Sequence, residues 1–316
     1  MRYFFILFFL VFALSGFAKS KEDSSFFYCK KSSHVTLFGY CKKGDYYGPL
    51  YVGSLFKAYA DEDFYGVGGF SLWKNRMRGD FYGLFQIAPF NLSGEGKRDI
   101  VKVAKTISNC KHRGRILKKN LDFNSFYGIL QLGGANFNGN IYSLFQVGLF
   151  NLNYNSVSLL QVGIETFSLR NKSFIQIGLK NLSGYQYSFL QVAISNTNYD
   201  YKGVFQVAVL NENKYFTGGF QLGFINVTNK FKGGLQFSVI GNSTFVFKGG
   251  AQISLYNSSL ILKGVQIGIY NKAQAVTGLQ IGIINYAKIL KGVQIGFLNI
   301  AKNSKLPFMP IINMAF

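Results

Sequence analysis

The 316-residue chain carries a formal net charge of +21, yet only 15% of its residues are charged, so the imbalance reflects a shortage of acids. Thirty-four Phe and 20 Tyr accompany 36 Gly and only 4 Pro, a composition that favours strands and turns over helices. Two His residues leave little material for general-base catalysis. We therefore expect a non-enzymatic protein without a cofactor.

The first 18 residues predict a secretory signal peptide. Met1 and Arg2 precede the apolar run YFFILFFLVFALSGFA, in which Gly16 and Ala18 have the spacing that signal peptidase requires. For a secreted basic protein, membrane lipid, anionic polysaccharide or a host surface is a better partner than nucleic acid. A simpler explanation of the charge is that exposed Lys residues keep a sheet-rich protein soluble.

Residues 19–63 form a separate N-terminal segment. Cys29 and Cys41 could form a disulfide in an oxidising compartment, which would leave Cys110 unpaired. His34 and His112 lie near these cysteines, but the spacing matches no tight metal motif. The acidic run at residues 61–63 is typical of a solvated turn more than of a cation site, so no metal site is predicted.

An internal repeat occupies residues 64–316. The pattern G-[VL]-Q-I-G-[IF]-x-N occurs three times between Gly264 and Asn299, and we number each copy from its Gln as position 0. Successive Gln residues are fifteen apart from Gln131 to Gln236, after which one step of sixteen and three of fourteen follow. Such regularity predicts one repeating architecture. The thirteen copies are centred on Gln86, Gln131, Gln146, Gln161, Gln176, Gln191, Gln206, Gln221, Gln236, Gln252, Gln266, Gln280 and Gln294.

Each position of the repeat has its own chemistry. Positions −1, +1 and +3 are apolar almost throughout, position +2 is Gly, Ala or Ser in all thirteen copies, and position +5 is Asn in eleven. This alternation has a period of two, which predicts strands and excludes helices from the array. The Asn and the polar residues after it predict turns. In residues 214–226 the full strand would place Phe216, Phe220, Leu222 and Phe224 on one face.

The first architecture that fits is an antiparallel, transmembrane-type β-barrel of about 14–16 strands. Ten-residue strands at a tilt near 40° cover about 25 Å of bilayer, with apolar side chains facing lipid. The last residues, PFMPIINMAF, resemble the terminal signal of outer-membrane barrel proteins. Phe316 would then be a C-terminal assembly signal, although two prolines weaken the strand.

The alternative is a β-solenoid in which each copy forms one coil and equal positions stack. The constant direction and spacing of the motif favour it, as does an Asn that could bond to its own equivalents. Against it, apolar side chains would occupy both faces in several copies, and a solenoid surface should not be that apolar. Parallel pairing between neighbouring copies would indicate the solenoid, and antiparallel pairing the barrel.

From Gly264 onward the sequences GVQIGIYN, GLQIGIINYAK and KGVQIGFLNIAKNSKLPFMPIINMAF resemble bacterial surface repeat proteins built from tandem G-V-Q-I-G-L-x-N-x-A-K units with a Leu-Pro-Phe-rich end. The similarity is specific over residues 264–312, loose over 128–263, and does not reach 19–63. The resemblance implies secretion and a place in the outer membrane or at the cell surface, and it implies no activity.

Residues 94–119 interrupt the repeat between Gln86 and Gln131 with nine Lys and Arg residues. They form either a basic insert that contacts anionic sugars or lipid, or two divergent strands within a gap of three repeat lengths. The sequence thus predicts a pore or a structural surface component, with a secreted adhesin or interaction surface as the alternative. The Gln residues would line a lumen or satisfy their amides between strands.

Overall fold

The structure, a computed structural model, describes residues 46–52, 57–60, 63–70, 74–77, 79–93 and 125–315. The predicted signal peptide, the three cysteines, residues 94–119 and Phe316 lie outside these ranges. Within them the protein is all-β, as predicted, and no helix is long and apolar enough to span a membrane. The strands are β1 (Tyr46–Val52), β2 (Lys57–Ala60), β3 (Phe64–Phe70), β4 (Lys74–Met77), β5 (Phe81–Tyr82), β6 (Phe85–Ile87), β7 (Phe90–Ser93), β8 (Ser125–Ile253), β9 (Tyr256–Ala301) and β10 (Phe308–Ala315).

Strand β8 is extended over 129 residues without interruption. A straight strand of this length would measure about 430 Å, at about 3.3 Å per residue. Yet the side chains of Gln131 and Gln146, fifteen residues apart, are joined by a hydrogen bond of 3.0 Å. The chain therefore returns to its starting side once in every repeat, and each repeat forms one coil.

Neighbouring coils pair in parallel and in register. Gln131 pairs with Gln86, and Gln266 pairs with Gln252. The predicted antiparallel pairing of a barrel is not what the described copies show. Their pairing is instead the one expected for stacked coils. A motif that always runs in one direction brings identical side chains together only when its strands are parallel, and Gln and Asn gain hydrogen bonds from that stacking.

The strand pairing places the first coils of the array differently from the sequence-based prediction. β1 and β2 pair in parallel with β3 and β4, upstream of the predicted start at residue 64. β6 and β7 pair directly with the first part of β8. The coils of Gln86 and Gln131 are therefore neighbours.

Inward and outward side chains do not follow a simple alternation around the coil. Inward residues come as three pairs, at positions 0 and +2, +5 and +7, and −5 and −3. Two consecutive outward residues separate one pair from the next. Phe216 is consequently buried, whereas Phe220 and Phe224 are exposed. The predicted shared face of these residues is wrong, because Gly219 and Phe220 both point outward and shift the alternation by one residue.

The three steps of fourteen residues shorten one part of the coil. The three copies just before these steps have two glycines, such as Gly218 and Gly219, where the shorter copies have one. The single glycines, Gly264, Gly278 and Gly292, have φ angles of 135–142°. Only glycine adopts this conformation without strain. Glycine thus allows the shorter coils to remain in register with the longer ones.

The array ends in a strand of opposite direction. β10 pairs antiparallel with the last coil of β9, and Asn313 lies opposite Gln294. A β-bulge between Met309 and Ile311, with φ of 66° at Ile311, interrupts this pairing. This C-terminal cap covers the edge that a further coil would otherwise occupy.

Candidate functional site

The thirteen Gln residues form a continuous ladder inside the coils. Each is fully buried. The Nε2 of every Gln after the first donates a hydrogen bond of 2.7–3.0 Å to the Oε1 of the preceding Gln. At the two ends, the Nε2 of Gln86 and the Oε1 of Gln294 have no partner among the described residues. Buried amides require partners, and the neighbouring copy supplies them.

The Asn residues at position +5 form a second ladder that runs in the opposite direction. The Nδ2 of Asn136 donates to the Oδ1 of the following Asn151, at 2.8 Å. Eight further bonds continue the same pattern through nine Asn residues from Asn181 to Asn299. The Nδ2 of most also donates to the carbonyl oxygen at position +1 of the next coil, as Asn136 does to Val147. The sequence-based prediction of a turn at this Asn is wrong, since the residue is buried within the stack.

The Asn ladder explains the small residue at position +2. A Cβ added to Gly148 would lie 2.5 Å from the Nδ2 of Asn136 and 2.9 Å from the Oδ1 of Asn151. Two successive rungs therefore occupy the space where a side chain would extend. The sequence signal of a small residue at this position was visible, but its cause was not.

Two copies depart from the Asn pattern: one maintains the ladder through a neighbouring Asn, and the other bonds within the ladder only to the Asn that follows it. Gly241 stands at position +5 after Gln236, and the next residue, Asn242, bonds to Asn226 and Asn257 instead. The single step of sixteen residues accommodates this shift. In the other copy Thr166 replaces Asn, and its hydroxyl donates to the Oδ1 of Asn181.

The rest of the interior differs between two parts of the array. From Tyr201 to Ala301 it is an apolar cluster, in which Phe216, Phe231 and Phe247 stack with ring centroids 4.8–4.9 Å apart. From Ser143 to Ser188 the inward positions carry polar side chains or glycine, although Tyr154 and Leu169 are buried at outward positions. The buried residues there include Ser143, Ser156, Ser158, Ser168, Asn171, Ser173, Ser183, Gln186 and Ser188. We name these two parts the apolar-core coils and the polar-core coils.

Tyr201 lies at the junction of the two parts. Its ring stacks on Phe216, with centroids 5.0 Å apart. Its hydroxyl donates to the carbonyl oxygen of Phe205 at 2.6 Å and accepts from Ser188. Burial raises the pKa of Tyr201 to about 12, and the hydrogen bond from Ser188 opposes this only in part. The residue therefore remains neutral at physiological pH.

The outer surface has a band of apolar side chains that are mostly half-buried at positions −1 and +1 and exposed at position +3. Position +3 is apolar and 41–82% exposed in eleven consecutive copies: Leu149, Ile164, Leu179, Ile194, Val209, Phe224, Val239, Leu255, Ile269, Ile283 and Phe297. In the last five copies the side chains at +1 and +3 border a groove above the small residues at +2. We name this surface the apolar band.

One edge of the apolar band is bordered by a row of Tyr and Lys. In this row Tyr65, Tyr82, Tyr127 and Tyr142 stack with centroids 4.9 Å apart. Further along, Lys202 lies over the ring of Tyr187, and Lys248 pairs with Lys263. The Tyr/Lys row consists of Tyr65, Tyr82, Tyr127, Tyr142, Lys172, Tyr187, Lys202, Lys232, Lys248, Lys263 and Lys291.

Titratable groups elsewhere in the described residues form no candidate catalytic or metal site. No group of three His, Cys, Asp or Glu residues is close enough there to hold a metal ion. The Asp63 carboxylate accepts hydrogen bonds from the Tyr65 hydroxyl and from the backbone N–H of Asp80. The candidate functional features are therefore the two ladders, the apolar band and the Tyr/Lys row. Comparisons with protein-family models, curated proteins and solved structures found no match for the chain.

Proposed function

We propose that this chain is a non-enzymatic β-solenoid of the bacterial cell surface, secreted through its signal peptide, whose structural role is to lie on a lipid surface. The observation that carries the proposal is the apolar band. With strands about 4.8 Å apart and a rise of about 3.3 Å per residue, eleven copies give a band about 50 Å long and about 15 Å wide. An area of about 750 Å² exceeds the largest apolar patch on a typical soluble monomer.

Lipid fits the band better than a rigid partner does. The side chains at position +3 vary between Val, Leu, Ile and Phe from copy to copy. A fluid hydrocarbon layer accepts this variation, whereas a protein surface would need a matching relief at each coil. The interior is filled by the ladders and by the residues between them, which gives no support to the pore-forming role.

Vesicle flotation of the mature chain tests the proposal, with a matched pair of variants. Ile283 belongs to the band and Ile289 lies outside it, and both are 53% exposed. We expect Ile283→Glu to weaken flotation at least tenfold, because a carboxylate would enter the acyl region, and Ile289→Glu to change it little. A wild-type chain that remains soluble and monodisperse in plain buffer, and does not float with any vesicle, would contradict the proposal.

The alternative role is an adhesin or interaction surface for anionic polysaccharide or host material. One observation favours it. On the side away from the band, Lys214 lies over the rings of Tyr199 and Tyr215, and Lys230 also lies over Tyr215. Exposed aromatic and cationic groups of this kind contact sugar rings and sulfates. Lys214→Gln should then weaken binding to a sulfated polysaccharide such as heparin while leaving vesicle flotation unchanged.

A further inference from the structure

We infer that the Tyr/Lys row is a headgroup anchor, which holds the array in the plane of an anionic lipid leaflet with the apolar band in the acyl region. This inference rests on the proposed function and specifies its lipid class and its orientation. Tyr and Lys are the residues that membrane proteins place at the boundary between hydrocarbon and headgroups. Here they occupy the edge of an apolar surface over most of its length.

From the apolar band to the Tyr/Lys row, the side chains change from apolar to polar, in the order expected for increasing distance from the hydrocarbon layer. Outward residues at +3, +1 and −1 are apolar, and in several copies position −2 is too, as with Leu144, Leu159 and Phe174. The Tyr/Lys row comes next, at position −4, or at −3 in the fourteen-residue copies. A lysine at this edge can lay its methylene groups along the apolar side chains and extend its ammonium group to a phosphate.

The row changes composition along the array in a way that predicts the lipid class. Its first four residues are Tyr, and its last four are Lys232, Lys248, Lys263 and Lys291. No Asp or Glu follows Glu212 in the chain, so carboxylates of the same coils cannot neutralise these lysines. Each lysine near an anionic membrane strengthens binding about fivefold. The C-terminal coils should therefore provide most of the preference for anionic lipid.

The charges on the remaining side determine the orientation. Arg170, Lys214, Lys230 and Lys272 lie outside both the band and the row. An array that crossed the bilayer would place these side chains in hydrocarbon, which is costly for each of them. When the axis lies parallel to the membrane they face water instead.

Two quadruple variants with the same change in charge test the inference. The row variant replaces Lys232, Lys248, Lys263 and Lys291 by Gln, and the control replaces Lys214, Lys230, Lys272 and Lys288 by Gln. Binding of the mature chain is measured on phosphatidylcholine vesicles with and without 30% phosphatidylserine. We expect the row variant to lose about 100-fold or more of the affinity for anionic vesicles, and the control to lose less than tenfold.

The outcomes separate the two proposals. No binding of the wild-type chain to either vesicle, or self-association through the band in its place, contradicts both of them. Equal binding of the wild-type chain to both vesicles, or an equal loss of affinity in the two variants, overturns the headgroup anchor. It does not contradict the proposed lipid contact of the apolar band. Matching circular dichroism spectra and melting temperatures verify that both variants are folded.

A separate observation concerns the polar-core coils, and there the geometry points to a buried chamber that binds ordered water. The Oγ atoms of Ser143, Ser156, Ser158 and Ser168 and the Oδ1 of Asn171 are buried without a hydrogen-bond partner among the described residues. Orphaned polar atoms cost free energy unless water satisfies them. Five of them fall within two turns of the array.

Side-chain size also creates room at this place. Position −5 is Ile141 before the chamber, Ser156 and Asn171 within it, and Gln186 and then Tyr201 after it. The groups that face the space are neutral hydroxyls and amides, which suits water better than an ion. The chamber would thus be closed by Ile141 at one end and by Gln186 at the other, and filled by water between them.

A high-resolution crystal structure of the mature chain tests the chamber directly, together with the double variant Ser156→Leu and Ser158→Gly. These changes reproduce Leu262 and Gly264 of an apolar-core coil. We expect ordered water on the serine hydroxyls of the wild-type chain, its displacement in the variant, and a melting temperature that rises by a few degrees. A chamber without water in the wild-type chain, or with a metal ion, would overturn the inference. The inference would also be overturned if the double variant lost the water and melted at a lower temperature than the wild-type chain.

Discussion

The polar-core coils and the apolar-core coils share their backbone pairing and the continuous Gln ladder, and they differ in what fills the remaining interior. Ser156 and Asn171 occupy the position that Phe216 and Phe231 occupy further along. The Gln ladder continues through both parts with bonds of similar length. The comparison indicates that the ladders determine the register, whereas the residues between them determine how strongly each coil is held.

The expected free-energy contributions make the apolar-core coils the more stable part. Burying a Phe side chain contributes about 1.5–3 kcal/mol, and stacked rings add about 0.5–1.5 kcal/mol per pair. A buried polar atom without a partner costs about 1–3 kcal/mol. In arrays of this kind each coil contacts only its neighbours, so stability varies along the axis. Native-state hydrogen exchange should therefore show lower free energies of opening for residues 143–188 than for residues 216–262.

The largest effect is expected from the apolar core itself. Phe231→Ala should lower the free energy of local opening by about 3–5 kcal/mol, because the ring lies between Phe216 and Phe247 and leaves a cavity. The control is Phe245→Ala, since Phe245 is 59% exposed and should change the value by less than about 1 kcal/mol. Hydrogen exchange by mass spectrometry measures both. Equal effects would mean that the stack does not stabilise these coils.

A ladder variant should have nearly the same effect in the two parts. Gln221→Leu removes one hydrogen bond from the Nε2 of Gln236 and one from the Oε1 of Gln206. These two groups keep their bonds with Thr228 and Asn213, so the cost is about 1–3 kcal/mol for the two lost bonds. Gln176→Leu removes the corresponding bonds in the polar-core coils. Gln274→Leu, at an exposed Gln outside the ladder, is the control. Urea titration compares the three variants, and a much smaller loss for Gln176→Leu would show that the ladders differ.

The fourteen-residue copies, all within the apolar-core coils, depend on backbone conformation. Gly278→Ala should destabilise the array by about 1–3 kcal/mol, since its φ is 135° and a Cβ would fall against the carbonyl oxygen of Gly264. Gly241 has no such φ, and a Cβ there would first meet the carbonyl oxygen of Tyr256 at 3.4 Å. Gly241→Ala is thus a control with little expected effect. Thermal unfolding distinguishes them, and equal melting temperatures would contradict the strain at Gly278.

The smallest effect at neutral pH is expected at the junction of the two parts. The folded pKa of Tyr201 is raised to about 12 from an ordinary value of 10.0, so the folded state binds its proton more tightly. This contribution to stability is complete below pH 10 and is lost as the pH rises from 10 to about 12. Tyr201→Phe should cost about 1 kcal/mol near pH 7, through the bond to Phe205. It should also reduce the loss of stability above pH 10, and an unchanged alkaline profile would argue against the buried phenol.

The sequence was sufficient to predict an all-β array, its period and the thirteen Gln positions, because alternation with a fixed spacing is a local signal. It could not decide how neighbouring copies pair, since pairing depends on contacts between residues fifteen apart. The face of the strand on which Phe216 lies was predicted wrongly for a related reason. Two consecutive outward residues, Gly219 and Phe220, interrupt the alternation, and nothing in the local pattern distinguishes them from a continuous strand.

The candidate functional features were predicted less completely. The apolar positions were recognised, but lipid contact was attached to the barrel, and an apolar outer surface was counted against the solenoid. Amide ladders reverse this expectation, because Gln and Asn fill the interior with mutually bonded groups and leave the apolar side chains outside. The Tyr/Lys row was missed, although Lys202, Lys232 and Lys248 stand four residues before their Gln in the printed sequence. An alignment of that position across copies would have revealed it.

The C-terminal cap has a consequence for the assembly of many copies of the chain. A stack of identical, in-register parallel strands has the geometry of an amyloid fibril, and an uncovered last rung invites another molecule to continue it. β10 reverses direction across that rung, and Pro310 and the bulge beside it remove regular donors from the new edge. Growth from this end would require a strand of a different direction and register. The same repeat that builds the protein is thereby prevented from building a polymer at this end.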